Sequence, residues 1–587
     1  MTRTYLLTGT AMLACLATGA TAQNVVLLDE IVASASLVPV VAGETGATVD
    51  ALEEDDIEIG DARIATQIDR LPGTTFATSG GIGQEGKIRV RGLDSYYVVT
   101  RLDGIDISDP SNPQNYADFG GFTKSGIARV ELLKGTQSAL YGSQAIAGVI
   151  DMQSFRAEGP GTSWRADLEF GSFGTVMAGI GLGHRSDRAG LAFSLSHTRS
   201  DGISAAASGT ERDGFDETMA TLNADFAATD TVTLGFSAFV TDARVEYDNG
   251  FPIEDADNVN ENLRRGARVF AIIDSGAIEH ELSLSAYAAT REYPGGFVPL
   301  FKGERITFGY SGTLEQSWGT AVFGAEQVRE KADIGSIRED DRNAVYGEVL
   351  LERGALDLSL AARYEHSDDF GGNVSGRIAA AYDVTPTLTL KTALATGFRA
   401  PSLDERFASY GNPDLTVEKS RSVELGVVKE FAGGAALEAT AFYTEIDDRI
   451  GFGAMTYEQV DGRAYTRGVE LAAEVPLGES AGLYGSYTYT DAEVGGSRLP
   501  RVPLHDLVLG VEAGVAPRLT VSGDLTHVAG KPGLNDYTLL GAGLSYEVSD
   551  TTTAYLRVDN LADEDYQTSP GYNMPGRTWT VGLSAEF

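Results

Sequence analysis

The sequence predicts an all-β fold: a 22-stranded antiparallel transmembrane β-barrel with an N-terminal α+β domain seated in its lumen. Three observations lead there. From about residue 159 to 587 the chain alternates at period two: Val232, Leu234, Phe236, Ala238 and Val240 interleave with Thr233, Gly235, Ser237 and Phe239, and Leu356–Tyr364 and Leu437–Tyr443 repeat the pattern. Turn dipeptides break it at Asp201-Gly202, Asp213-Gly214, Asn249-Gly250 and Asp461-Gly462. Second, Trp579, Val581, Leu583, Ala585 and Phe587 form one apolar face of a last strand. Third, the N-terminus reads as an export signal, yet no later run of about 18 apolar residues offers a spanning helix. In a bilayer every backbone group must pair internally, so a closed barrel is the β solution. At roughly 19 residues per strand and loop, the segment holds about 22 strands, the size associated with a filled lumen.

Composition narrows the function classes. The 587 residues hold 84 acidic against 45 basic side chains, a net charge of -39, which repels nucleic acid. The 70 glycines and 24 tyrosines suit turns, tight strands and aromatic girdles.

Taken in order, residues 1–22 read as a signal peptide: Arg3, the apolar run from Tyr5 to Ala17, then Ala20-Thr21-Ala22 as the cleavage site. The single cysteine, Cys15, lies inside it, and Met12-Leu13-Ala14 fits a lipid-attachment signal poorly. A disulfide framework is excluded. Residues 23–50 form an extended leader, and 51–158 a compact domain. In the latter, Asp61 can cap a helix whose Ile64, Ile68 and Leu71 share a face before Pro72-Gly73 stops it. Strands are expected at Ile88–Arg91 and Tyr97–Leu102. Gly81-Ile82-Gly83-Gln84-Glu85-Gly86 satisfies G-x-G-x-x-G, but a strand follows it where a dinucleotide site needs a helix N-terminus. The stretch from Arg129 to Ile150 reads as a strand to Lys134, a turn at Gly135, a compact segment around Tyr141, and a strand from Gly148. Val130 and Leu132 can face a core; Arg129, Glu131 and Lys134 need partners if buried. These small strands make a mixed sheet carrying a helix.

The wording of this stretch resembles the plug domain of TonB-dependent outer-membrane receptors. So do Gly397-Phe398-Arg399-Ala400-Pro401-Ser402-Leu403, Gly411-Asn412-Pro413-Asp414-Leu415 with Glu418-Lys419-Ser420, and Asn560-Leu561 with Asp563-Glu564-Asp565-Tyr566. The resemblance runs from leader to last strand. It implies a plug at 51–158, a barrel at 159–587 and localisation in the Gram-negative outer membrane, among lipid and lipopolysaccharide. It also implies a Ton box at Leu28, Asp29, Glu30, Ile31, Val32 and Ala33, an unfolded segment that the energy-coupling protein TonB grips as an added strand. Phe587 is the implied signal for the barrel-assembly machinery.

Within the family, Tyr410–Ser420 and Gly571-Tyr572-Asn573-Met574-Pro575-Gly576-Arg577 look most like the cobalamin (vitamin B12) receptors. That branch implies ligand contacts from the outward plug loops, Ser95 and Tyr96, then Asn112, Gln114, Asn115 and Tyr116, with Arg501 from a barrel loop. Their amide, hydroxyl and aromatic groups suit a large corrinoid bearing amide side chains; the bland alternative is solvated turn residues. The branch also implies a structural calcium held by Asp213 and Asp248, with Glu211, Asp216, Asp255 and Asp257 nearby but not cleanly aligned. No covalent cofactor is expected. Haem is disfavoured because no histidine lies between Phe398 and Asn412 or in the plug. A ferric siderophore stays open as the ligand. Of other classes, a passive porin would lack the plug, and an outer-membrane hydrolase would need a nucleophile motif or distinct carboxylate pair that the chain does not present, so no enzyme is expected.

Overall fold

The computed structural model describes residues 30–587 apart from 158, 251 and 297. The predicted signal peptide, and Leu28 and Asp29 of the predicted Ton box, lie outside them.

Twenty-two antiparallel strands close into a barrel, from Gly161–Gly171 to Thr578–Glu586, with a two-residue strand at Ser497–Arg498 added on a hairpin tip. The seam pairs Leu168 with Leu583 and Phe170 with Val581, and the Phe587 and Trp164 backbones exchange hydrogen bonds of 2.9 and 2.8 Å. The C-terminal strand therefore removes the sheet's last free edge. Side chains alternate as the period-two pattern requires: Leu360, Ile378, Leu394 and Val423 face outward, while Ser359, Arg377, Ala395 and Ser422 face the lumen. An apolar belt of this kind gains by immersion in lipid, at roughly 25 cal/mol per Å². The two ends differ. Turns such as 229–232, 316–319 and 353–356 are short, whereas 200–215, 399–418, 447–464 and 559–578 are long.

The lumen is filled by the plug. Its elements are β1 (Ile31–Val32), β2 (Val40–Val41), β3 (Val49–Leu52), α1 (Glu54–Glu58), α2 (Ile64–Ile68), β4 (Thr74–Thr78) and β5 (Gly86–Val90). There follow β6 (Val98–Leu102), β7 (Ile105–Asp106), β8 (Ile127–Lys134), α3 (Ser138–Tyr141) and β9 (Gly148–Ser154). A five-stranded mixed sheet runs β3-β8-β9-β6-β7, with β6 and β9 parallel. Val130, Leu132, Ile150 and Met152 from this sheet pack with Ile64, Ile68 and Leu102 into the main core.

Three expectations change. The Ile88–Arg91 strand forms as β5, but pairs with β4 in a separate hairpin outside the mixed sheet. The cap of α2 is Arg63; Asp61 instead accepts the Arg63 N–H at 2.9 Å and grips its guanidinium, fixing the chain two residues earlier. The segment read as leader is docked from residue 30 onward. Val49 and Asp50 belong to the sheet edge, and Val32 is 0% exposed in a small core with Ala42, Val99 and Val149. Alternating small and β-branched residues, extended in isolation, find a sheet edge and an apolar pocket to fill.

Candidate ligand site and plug–barrel interface

Both predicted contact loops reach the long-loop end. Ser95 and Tyr96 open a 3-10 turn at Ser95–Tyr97, where the Asp94 carboxylate accepts the Ser95 N–H at 2.9 Å. The Tyr96 ring lies 4.5 Å from that of Tyr97, under the Arg399 guanidinium at 5.0 Å, and its hydroxyl accepts from Arg449 at 2.9 Å. The second loop joins β7 to β8. Asn112 Nδ2 donates to the Tyr116 carbonyl at 3.2 Å and braces the loop itself. At its tip Gln114 and Asn115 take left-handed backbone (φ 66° and 52°), a geometry asparagine tolerates better than glutamine. The Asn115 amide sits between Arg305, donating at 3.2 Å, and Glu330, accepting at 3.4 Å. Tyr116 donates to Glu85, with Lys87 4.5 Å above its ring.

These residues are brought together but are mostly engaged. Ser95, Tyr96, Asn112, Asn115 and Tyr116 are buried under barrel loops, and only Gln114 is half-buried. Arg501 lies apart, exposed, on the 495–504 loop, where its charge reaches Tyr572.

The acidic residues of the early loops converge more fully than their spacing suggested. Carboxylate oxygens of Glu211, Asp213 and Asp248 lie within 4.8 Å of one another. Asp213 accepts the Ala205 N–H at 2.6 Å, and Asp248 accepts those of Ala206 and Ala256 at 2.6 and 2.7 Å. One buried oxygen each on Glu211 and Asp213 has no hydrogen-bond partner. Burial, then neighbouring carboxylates, pushes Glu211 up to about 8; burial and Asp248 push Asp213 up to about 7. Asp255, which takes the Thr210 N–H at 3.1 Å, sits beside Glu211, whereas Asp216 faces His197 at 3.6 Å on the barrel wall. Hard oxygen donors crowded this way are a cation's preference, not that of an unaccompanied set of charges.

Beneath the mouth, buried ions bolt plug to barrel. Arg91 bridges Glu424 at 3.0 Å and Glu470 at 2.8 Å, with Phe442 4.7 Å from its guanidinium. Lys134 pairs with Asp50 at 2.6 Å and reaches Glu470 at 3.6 Å. Arg399 holds Glu405 at 2.8 Å and also Glu418, which accepts from Tyr97 at 3.0 Å. At the short-turn end, Glu131 accepts the N–H groups of Ala33 at 2.9 Å and Ser34 at 2.8 Å, and Arg129 pairs with Glu30 at 2.5 Å. The charged residues of the Arg129–Lys134 strand thus all have partners. Sequence reasoning missed Arg91, Glu424 and Glu470 as a lock. The sequence carries only their phase: Glu424 and Glu470 each fall on the lumen side between two outward apolar residues, Val423 and Leu425, and Val469 and Leu471.

Comparison with known proteins now decides the family. A profile described as TonB dependent receptor-like, beta-barrel, matches residues 163–561, and one described as TonB-dependent Receptor Plug Domain matches 42–149. The chain is a TonB-dependent receptor. The vitamin B12 transporter BtuB of Vibrio cholerae serotype O1 is 26% identical, over 93% of each chain; that of Photobacterium profundum is 25% identical, over 92% of this chain and 93% of the other. Among solved structures, the siderophore receptor PirA from Acinetobacter baumannii superposes with a TM-score of 0.81 at 17% identity, covering 93% of this receptor and 99% of that chain. A ferric enterobactin receptor (PfeA) mutant from Pseudomonas aeruginosa gives 0.81 at 17%, covering 95% and 100%. At that identity the likeness is one of fold. The receptor is an outer-membrane β-barrel, so its short-turn end and residues 30–37 face the periplasm and its long loops face outward. All six histidines sit on the outward phase of barrel strands, away from the plug loops.

Proposed function

We propose that this receptor imports cobalamin actively across the outer membrane. The observation that carries the reading is kinship along essentially the whole chain, on both sides of the alignment, with vitamin B12 transporters. Two features of the mouth support it. The Glu211–Asp213–Asp248 group fits a calcium ion that would stiffen the early loops over the ligand; these three side chains, with Asp255 beside them, would supply its oxygens. Acidic side chains also outnumber basic ones in the 201–214, 400–417, 448–463 and 560–577 loops. Such a field repels an anionic iron chelate within the ~8 Å screening length, and leaves a neutral, amide-rich corrinoid unopposed.

The ligand would settle against Gln114, Asn115 and Tyr96, with Ser95, Asn112, Tyr116 and Arg501 completing the mouth. TonB would take Leu28–Ala33 as an added strand and pull. Lipopolysaccharide surrounds the outer rim, and Phe587 presents the final strand to the assembly machinery. No covalent step is required. A ferric siderophore is the second reading, favoured by the fold likeness to siderophore receptors.

Calorimetry of the purified receptor with cyanocobalamin, a ferric siderophore and haem tests the ligand, with calcium present and absent. Heat from cyanocobalamin is expected; heat from the iron chelate alone would overturn the choice. Deleting Leu28–Ala33 should abolish uptake and leave binding unchanged; uptake that survives the deletion would refute energy-coupled import.

A further inference from the structure

The lipid-facing wall of the barrel is not evenly covered. On strands Ile337–Arg353, Leu356–Ser367 and Gly371–Thr385, the outward residues Gly347, Ala362 and Gly376 stand opposite one another in register. Phe323 continues that row on one side. On the other, Thr396 Oγ1 accepts the Gly376 N–H at 3.0 Å, and Thr396 pairs with Arg421. A ridge of Val345, Tyr364 and Val374 flanks the row on its outer side, and one of Val349, Leu360, Ile378 and Leu394 on its periplasmic side. Between the ridges runs an apolar groove of about 790 Å³ that ends at Arg421.

Among the described residues nothing covers the groove's floor. Elsewhere on the same wall an aromatic ring lies over an outward glycine: the Phe323 ring sits against Gly312, and the Tyr364 ring against Gly372. Both rings thereby lean away from the groove. At Gly376 an added Cβ would meet nothing nearer than the Ala361 carbonyl at 3.8 Å, and at Gly347 only the Val322 carbonyl at 3.2 Å. Neither glycine takes positive φ, so the backbone does not call for glycine there. Glycine weakens a strand interior, and an uncovered one in a regular strand marks where another group approaches closely.

The slope of the groove and its two ends identify what that group is. Arg421 lies three residues inside the outer end of strand Glu418–Glu430, and Phe323 four residues inside the periplasmic end of strand Gly319–Asp333. Adjacent strands are about 4.8 Å apart, so the five steps between them span about 24 Å. At a strand tilt of about 40° the row descends about 15 Å, half the hydrocarbon thickness and so the depth of one leaflet. At its outer end the first charge is Arg421, whose side chain is 68% exposed, with Lys419 exposed one step farther out on the same face. Glu445, 3.3 Å from Arg421, is already held by Arg463 at 3.0 Å and by the Tyr443 hydroxyl at 3.1 Å, so Arg421 keeps donors for a further acceptor.

We propose that this groove seats one acyl chain of lipopolysaccharide, the phosphorylated glycolipid of the outer leaflet, with a phosphate of its head group on Arg421 and Lys419. An apolar trough one leaflet deep, starting at the outer surface beside a guanidinium, matches a hydrocarbon chain joined to a phosphate-bearing head. A lipid of the periplasmic leaflet would need its cation at the other end. The seat does not depend on which ligand the receptor imports.

Native mass spectrometry of the intact receptor, extracted from outer membranes in mild detergent, tests the seat. The parent should keep one lipopolysaccharide per receptor through detergent exchange. Gly376→Leu fills the groove and should cut that retention at least tenfold; Arg421→Ser should cut it at least threefold. Val269→Phe, at a lipid-facing position of strand Ile253–Asp274 that is 49% exposed, should keep the parental amount. A parent that keeps none, or keeps a phospholipid in its place, overturns the proposal. So does parental retention in either groove variant, or a loss in Val269→Phe equal to theirs. If Gly376→Leu is not assembled into the membrane, Arg421→Ser decides by the same criterion.

Discussion

Replacing Glu131 by alanine should free the start of the chain from the underside of the plug. The carboxylate accepts the Ala33 N–H at 3.1 and 2.9 Å and the Ser34 N–H at 2.8 Å, and it holds Arg129 at 3.0 Å. Hydrogen bonds to a charged acceptor are worth about 1.5–3 kcal/mol each when nothing replaces them. Here water enters from the periplasm and takes over part of that, leaving a net loss of about 2 kcal/mol for the pair. At about 1.4 kcal/mol per tenfold, the undocked population should rise roughly 30-fold. Release stays incomplete because Val32, 0% exposed, contributes a further ~1.5–3 kcal/mol of apolar burial. A nitroxide at Ile31→Cys reads the equilibrium, since that side chain is 64% exposed and a label fits without displacing the core. The parent spectrum should be mainly slow; Glu131→Ala should raise the fast component, and Glu131→Gln, which keeps an acceptor but loses the charge, should fall between. A Glu131→Ala spectrum matching the parent would refute this account of docking.

Further outcomes follow from the same structure. Arg91→Met leaves Glu424 without its ion pair and Glu470 with only Lys134 at 3.6 Å, so thermal denaturation should show a loss of about 3–5 kcal/mol, partly recovered on adding Glu424→Gln. Glu211 and Asp213, raised to about 8 and 7, bind protons in the folded receptor that the unfolded chain has already released. Without calcium, the stability they contribute is therefore full below about pH 4 and is lost as pH rises through 7 to 8. Melting curves from pH 5 to 8 should show that decline, calcium should suppress it, and apparent calcium affinity should climb over the same range; Asp213→Asn should lower that affinity at least tenfold by calorimetry. Tyr96→Phe removes the acceptor for Arg449 and should speed proteolysis of the 448–463 loop without unfolding the barrel.

By itself the sequence determined the barrel, its strand number and its closing strand, because period-two alternation leaves one face for lipid and one for the lumen wherever the strand ends up. It also determined the β8 and β9 strands and the Ile64–Ile68 face of α2, whose patterns are local; the helix stops at Ile68, short of the expected Pro72, and Leu71 joins the core from the turn that follows. Only the tertiary structure decided what the charges do. Glu131, Glu348, Glu424 and Glu470 have no meaning until chain segments about a hundred to several hundred residues apart meet, and 84 acidic residues offer no local means of picking them out. The same holds for Glu211, which joins Asp213 and Asp248 because a loop and a neighbouring hairpin fold over one another. The fate of the leader was hidden for a related reason. A short β-prone segment is extended by its own propensity, and whether it stays free or docks depends on an edge strand and a buried carboxylate supplied by the rest of the chain.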